Sequence, residues 1–133
     1  MRYLLDTNIC IYIINEQPPI VRQRFEDVEV GDIGVSSVAV SELRYEAEKS
    51  GRSEQNHAAL SKFLLPLVVL PYDEKATHVY GEIRVQREKA GTPVGGMDLL
   101  IAAHALALDL TLVTHDVAEF SHMPGLRVES WGE

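Results

Sequence analysis

Four acidic residues, Asp6, Glu42, Asp98 and Asp116, recur where apolar runs stop. Asp6 closes the run Tyr3-Leu4-Leu5 and is followed by Thr7 and Asn8. Glu42 lies in the first turn of the helix expected after a second apolar run, Ile33 to Val35. Asp98 opens the apolar segment MDLLIAAHALAL after Gly95-Gly96, and Asp116 lies just past the run TLVT. In an open α/β sheet, ligands sit outside the carboxyl ends of the parallel strands, and the first turns of the following helices share that edge. Carboxylates gathered there repel one another unless a cation holds them. Hard divalent ions such as Mg²⁺ take oxygen ligands and complete their shell with waters and phosphate oxygens. An ion so held activates a water and stabilises charge on a phosphoryl group. Each acid also suits a structural role: Asp6 a helix cap, Glu42 and Asp98 the acidic first turn of a helix, Asp116 a turn. Their coincidence at one edge is what favours a shared site.

The elements that must position these acids can be read from periodicity and breakers. Tyr3 to Leu5 reads as a buried strand and Asn8 to Asn15 as a short apolar helix, capped by Thr7 or Asn8. Pro18 or Pro19 opens a second helix through about Glu26. Ile33 to Val35 is a second strand, followed by helices over Val38 to Lys49 and Arg52 to Leu65. Leu67 to Leu70 is a third strand. Asp73 caps an amphipathic helix to about Ala90, with Ala76, Val79, Tyr80 and Ile83 at helical spacing. Met97 to Leu108 is apolar enough to be buried on most sides. Thr111 to Thr114, a helical turn at Val117 to Phe120 and a strand at Leu126 to Val128 complete the chain. Strands and helices alternate without repeat or linker. The expectation is one α/β domain over residues 1–133, with a mainly parallel central sheet flanked by helices.

Composition narrows the function classes. The 133 residues carry 20 acids against 12 Lys and Arg, a net charge of −8. That balance argues against a nonspecific nucleic-acid binder unless several acids are taken up by bound cations. The single Cys10 lies among Ile9, Ile11, Ile13 and Ile14, the setting of a buried structural thiol, and a cytoplasmic home is the simplest reading. The start of the chain lacks the basic-then-apolar pattern of a secretory signal. No Ser/His/Asp or Cys/His nucleophile arrangement and no zinc-ligand spacing is evident. His104 reads as a packed core residue, His115 as the histidine nearest the acidic edge, and His57, His78 and His122 as surface groups. Phosphate contacts would fall to Arg2, Arg22, Arg24, Arg44, Arg84, Arg87 or Lys89. Tyr12, Tyr45 and Tyr80 occupy helical positions that packing explains.

The segments YLLDTNICIYII, SSVAVSELRYEAEKS, VGGMDLLIAAHALAL, TLVTHDVAEF and PGLRVESW, in this order and spacing, resemble the PIN-domain family, and within it the VapC-type toxin ribonucleases. The resemblance runs over nearly the whole chain. It implies metal-dependent hydrolysis of phosphodiester bonds in structured RNA, tRNA or rRNA, with Mg²⁺ or Mn²⁺ as cofactor. It puts Asp6, Glu42 and Asp98 on the three main acidic ligand positions and Asp116 on the more variable fourth. Thr7, Asn8, Ser37 and Thr114 match small polar neighbours. Gly95-Gly96-Met97 and His115 stand where many relatives carry a Gly-Pro pair and an Asn. The resemblance also implies a homodimer, a VapB-type antitoxin partner whose tail covers the acidic site, a larger toxin–antitoxin oligomer, and operator DNA only through the antitoxin. Two other classes compete: an acid-rich phosphotransferase or phosphatase, disfavoured by Asn8 where a DxD enzyme has its second acid, and a non-catalytic PIN scaffold, disfavoured by the intact acids.

Overall fold

The computed structural model describes residues 1–132. Five strands, β1 (Tyr3–Leu5), β2 (Ile33–Ser36), β3 (Val68–Leu70), β4 (Thr111–Val113) and β5 (Val128–Glu129), form one sheet in the order β3-β2-β1-β4-β5, and every pairing is parallel. The expected sheet was mainly parallel; this one is wholly so. Parallel strands need crossover connections, and seven helices supply or follow them. They are α1 (Thr7–Asn15), α2 (Pro19–Glu26), α3 (Ser37–Lys49), α4 (Ser53–Leu64), α5 (Glu74–Lys89), α6 (Gly96–Leu108) and α7 (Val117–Phe120). A short 3₁₀ turn, Val30–Asp32, leads into β2.

Burial on both faces explains why the central strands read as unbroken apolar runs. Leu4, Leu5, Ile33, Val35, Leu112 and Val113 are all buried, and α1 and α6 cover them with Ile9, Ile13, Ile101 and Ala102. The apolar helix α6 is buried on most of its circumference, as its composition indicates. Trp131 packs its ring edge-on against Tyr3, with centroids 5.6 Å apart, and donates Nε1–H to the Glu129 carboxylate at 2.7 Å. The edge strand β3 is the exception: Val68 and Val69 are both exposed.

Register fixes the level of the functional edge. Leu5 lies opposite Val35 on one side and Val113 on the other. The next residues, Asp6, Ser36 and Thr114, therefore stand side by side at the carboxyl end, and the Asp6 amide donates to the Val113 carbonyl at 3.0 Å. The boundaries differ slightly from the sequence reading. Helix α3 begins at Ser37, capped by Ser36, whose hydroxyl accepts from the Val38 amide. Glu42 is therefore in its second turn, not its first, which removes the helix-dipole explanation for that acid. The last strand lies later than expected, at Val128–Glu129, and α1 is capped by Asp6 rather than Thr7 or Asn8.

Candidate active site

Each of the four acids is presented at the carboxyl edge by a different junction. Asp6 is buried, with 5% of its surface exposed, and one carboxylate oxygen accepts from the Ile9 amide at 2.8 Å. It is thus both the cap of α1 and a candidate ligand. Glu42 projects from α3 and accepts a 2.6 Å hydrogen bond from the Thr7 hydroxyl, across 35 residues of sequence. Asp98 sits in the first turn of α6, capped only by Gly95, whose side-chain-free backbone leaves that end open. Asp116 immediately precedes α7 and makes no side-chain cap; its amide donates to the Thr114 hydroxyl at 3.1 Å.

Electrostatics shows that these groups share one environment. Burial pushes the Asp6 carboxyl up from 3.8 to about 6; the Thr114 hydroxyl and Ile9 amide oppose this, and the charges of Asp98 and Glu42 add to it. Asp98 is also raised, first by burial and then by the charge of Asp116, against a hydrogen bond from Glu119. Glu119, on α7, is a member the sequence reading missed. Burial, a hydrogen bond to Asp116 and the charges of Asp98 and Asp116 push it up to about 7. Around neutral pH this carboxyl is therefore still partly protonated. The only local signal for it was its spacing three residues after Asp116, one helical turn away.

Among the described residues the acids have no cationic counterweight in ion-pair contact: no Lys, Arg or His forms an ion pair with Asp6, Glu42, Asp98, Asp116 or Glu119. Also among the described residues, no three His, Cys, Asp or Glu side chains already stand as a ligand set. Protein donors hold Asp6 and Glu42. An ionised carboxylate has about four acceptor sites, so these bonds orient Asp6 and Glu42 without using up their capacity for an ion. In donor type the group fits a hard divalent cation: it offers oxygen ligands only, and burial raises Asp6 and Asp98 among them.

The other candidates divide clearly. Cys10 is free and buried, and burial raises its thiol above the ordinary range, as befits an inert structural residue. His104 is buried between layers: its Nδ1 meets the Ser36 hydroxyl at 2.9 Å and its ring lies edge-on to Tyr72, so it braces the β2–α3 junction from α6. Burial lowers its pKa, which keeps the ring neutral. His115 is exposed and packs edge-on against Tyr12, with centroids 5.4 Å apart. His57 bridges Arg44 and Glu48, while His78 and His122 are exposed.

Two expectations are overturned by burial. Arg87, a candidate phosphate contact, is 92% buried and donates to the His122 carbonyl at 2.7 Å, so it ties α5 to the segment after α7. Tyr45, expected to pack, is 62% exposed. Tyr12 and Tyr80 do pack against the core. Most of the remaining candidate bases are engaged locally: Arg22 with Glu26, Arg24 with Glu129, Arg44 with His57 and Ser61, Arg84 with Tyr80 and Glu88. Beside the acids opens a cleft of about 390 Å³, lined by Thr7, Asn8, Ile11, Glu42, Tyr45, Met97 and Asp98 among others. None of the seven candidate bases lines it.

Comparison with known proteins gives a consistent picture. The family model for the PIN domain matches residues 3–126. The chain is 42% identical over 132 residues to Ribonuclease VapC2 of Rickettsia felis, covering 98% of each chain. It is 40% identical over 131 residues to the tRNA(fMet)-specific endonuclease VapC of Salmonella typhimurium, again with 98% of each covered. It superposes with a TM-score of 0.92 and 41% identity on a chain in the crystal structure of VapBC2 from Rickettsia felis bound to a DNA fragment from their promoter, covering 98% of this chain and 99% of that one.

Proposed function

The chain belongs to the PIN-domain family and, within it, to the VapC-type ribonucleases, and from this we propose that it is a metal-dependent endoribonuclease acting as the toxin of a VapBC-type toxin–antitoxin pair. Its substrate class is structured RNA, tRNA or rRNA, whose cutting arrests translation and growth. The observation that supports this reading is that Asp6 feels the charges of Asp98 and Glu42, and Asp98 that of Asp116, while among the described residues no Lys, Arg or His is ion-paired with any of the four. A repulsive group of carboxylates, two of them raised by burial, is stabilised by a divalent cation and by little else in water.

In this reading Asp6, Glu42, Asp98 and Asp116 hold Mg²⁺ or Mn²⁺, with Asp6 and Asp98 the principal ligands. A cation bound there supplies a water of lowered pKa and charge stabilisation at the phosphoryl oxygens. The chain's own residues set up that chemistry. Thr7 orients Glu42 through its 2.6 Å hydrogen bond, and Thr114 orients Asp6 while receiving the Asp116 amide. Glu119, partly protonated near neutral pH, donates a hydrogen bond to Asp98, which limits the repulsion before the site is loaded. His104 takes no acid–base part: its Nδ1 is committed to the Ser36 hydroxyl.

A VapB-type antitoxin is the proposed partner. The R. felis neighbour is a chain of a VapBC2 assembly on promoter DNA, and operator DNA would reach this chain through the antitoxin alone. A homodimer, a larger assembly with antitoxin, and a cytoplasmic location complete the reading. No helix among the described residues is long and apolar enough to cross a membrane.

The test is to sequence RNA 5′ ends after brief expression of wild type and of Asp98→Asn. A new end found with wild type only establishes cutting and names the substrate. Equal end profiles in the two cultures, with growth arrest retained by Asp98→Asn, would instead favour a non-catalytic scaffold.

A further inference from the structure

Tyr45 is the residue the established activity of relatives does not explain. It is 62% exposed on α3, one helical turn from Glu42 and on the same cleft as Asp98. Its helix buries Ala39, Leu43 and Ala47 instead, so the ring has no core to join. The Lys49 ammonium lies over it, 4.8 Å from the centroid, and even so most of the ring surface stays open. Across the cleft, Ile11 and the exposed Met97 add an apolar wall. The cleft volume of about 390 Å³ falls within the range of small-molecule sites, about 300–1,000 Å³, and suits a single nucleoside.

The charge of the cleft selects what can sit there. Its ionisable lining is Glu42, Glu46 and Asp98, all acidic, with none of the chain's basic side chains among them. A phosphate entering it gains nothing from the chain's own side chains. A base does, because stacking on an aromatic face is not opposed by the charge of the walls and is tolerant of sequence. Lys49, held at 3.3 Å from Glu46, has its ammonium over one face of the ring, which leaves the other face for a base and puts a cation near a flanking phosphate. We propose that Tyr45 is a stacking platform for a nucleobase of RNA bound beside the acidic edge, a subsite formed with Ile11 and Met97. This takes from the nuclease reading only that RNA is the ligand.

The test is stopped-flow fluorescence anisotropy of the full-length protein with a short, labelled, single-stranded RNA of mixed sequence, which reads binding before strands are cut. Tyr45→Ala is expected to weaken binding roughly 5- to 150-fold, the range that loss of one aromatic–base stack produces. Tyr45→Phe and Tyr45→Trp are expected to bind as wild type does. An RNA of the same length made of abasic nucleotides is expected to bind wild type as weakly as it binds Tyr45→Ala. Because Tyr45 is exposed, unchanged melting of Tyr45→Ala serves as the folding control. Equal binding by wild type and Tyr45→Ala overturns the subsite, as does a Tyr45→Phe variant as weak as Tyr45→Ala. Loss of affinity for the VapB-type antitoxin alone, with RNA binding intact, overturns it too and assigns the ring to a protein partner. RNA held through Tyr45 but never cut leaves the subsite standing and refutes the nuclease reading; RNA cut with equal efficiency by wild type and Tyr45→Ala does the reverse.

Discussion

Replacing Asp6 by Asn is expected to make the ion-free protein more stable while abolishing its activity. The wild-type carboxyl titrates near 3.8 when solvated and near 6 in the fold, because burial and the charges of Asp98 and Glu42 oppose its ionisation. As pH rises, the unfolded chain loses this proton first. Stability is therefore complete below about pH 3.8, falls through the window from 3.8 to about 6, and is flat above it. The gap corresponds to a penalty of about 3 kcal/mol at neutral pH. Asn removes the charge and keeps the geometry: its side-chain oxygen can accept from the Ile9 amide as Asp6 does at 2.8 Å, and Asn and Asp are equivalent helix caps.

The assay is thermal melting in chelator, for wild type and Asp6→Asn, from pH 4 to pH 8. At pH 8 the variant is expected to melt roughly 12 °C higher, taking about 4 °C per kcal/mol for a chain of this size. The difference is expected to shrink towards zero as the pH approaches 4. Mg²⁺ is expected to raise the wild-type melting temperature, by the equivalent of about 2.7 kcal/mol at a hundred times its dissociation constant, and to leave the variant unmoved. A variant that melts at or below wild type in chelator at pH 8 would refute the claim that Asp6 is held ionised against its surroundings. A gap that does not change with pH would do the same.

Glu119, pushed up to about 7, makes ion binding pH-dependent: apparent Mg²⁺ affinity measured by calorimetry should climb as pH rises towards 7 and level off above it, and Glu119→Gln should flatten that climb. Removing the hydroxyl that steadies Glu42, by Thr7→Val, is expected to weaken Mg²⁺ binding about 10-fold, the low end for loss of a residue that orients a ligand, with little change in melting. His104→Ala, which leaves the Ser36 hydroxyl with the Val38 amide alone and opens a buried cavity, is expected to cost about 2–4 kcal/mol in chemical denaturation, and His104→Gln to recover part of it.

The floor of the site was legible because one rule of α/β sheets does most of the work. Once Leu5 and Val113 end neighbouring parallel strands at the same level, Asp6 stands beside Thr114 with Asp116 two residues further on, and the helices that follow the strands bring up Glu42 and Asp98. The strand order itself was not readable. Nothing local in Val68-Val69-Leu70 says that it takes an edge, with two valines in solvent, rather than the centre that so apolar a run suggests. Glu119 escaped for a related reason: α7 is a single turn, and where it points depends on the path from Thr114 to Val117, not on any pattern within it.

The rim of the cleft was misread for a different reason, one the sequence could have corrected. Helical residues advance about 100° each. On α3 the buried line runs through Ala39, Leu43 and Ala47, and Tyr45 lies about 200° from Leu43, on the opposite face. Aromatic character suggested packing; phase dictated exposure. On α5 the same reckoning works in reverse. Arg87 follows Ile83 by four residues and Ala76 by eleven, which returns it to the buried line, and its guanidinium meets the His122 carbonyl there. Residue type therefore located the acids, whose position topology fixes, and misled at Tyr45 and Arg87, whose position helical phase fixes. The distinction bears on function. A basic side chain drawn to the inner face of α5 cannot receive a phosphate, while an aromatic ring turned out beside Glu42 has lost its packing partners and kept its stacking face. The contacts that choose a substrate should accordingly be sought among residues whose phase contradicts their chemistry.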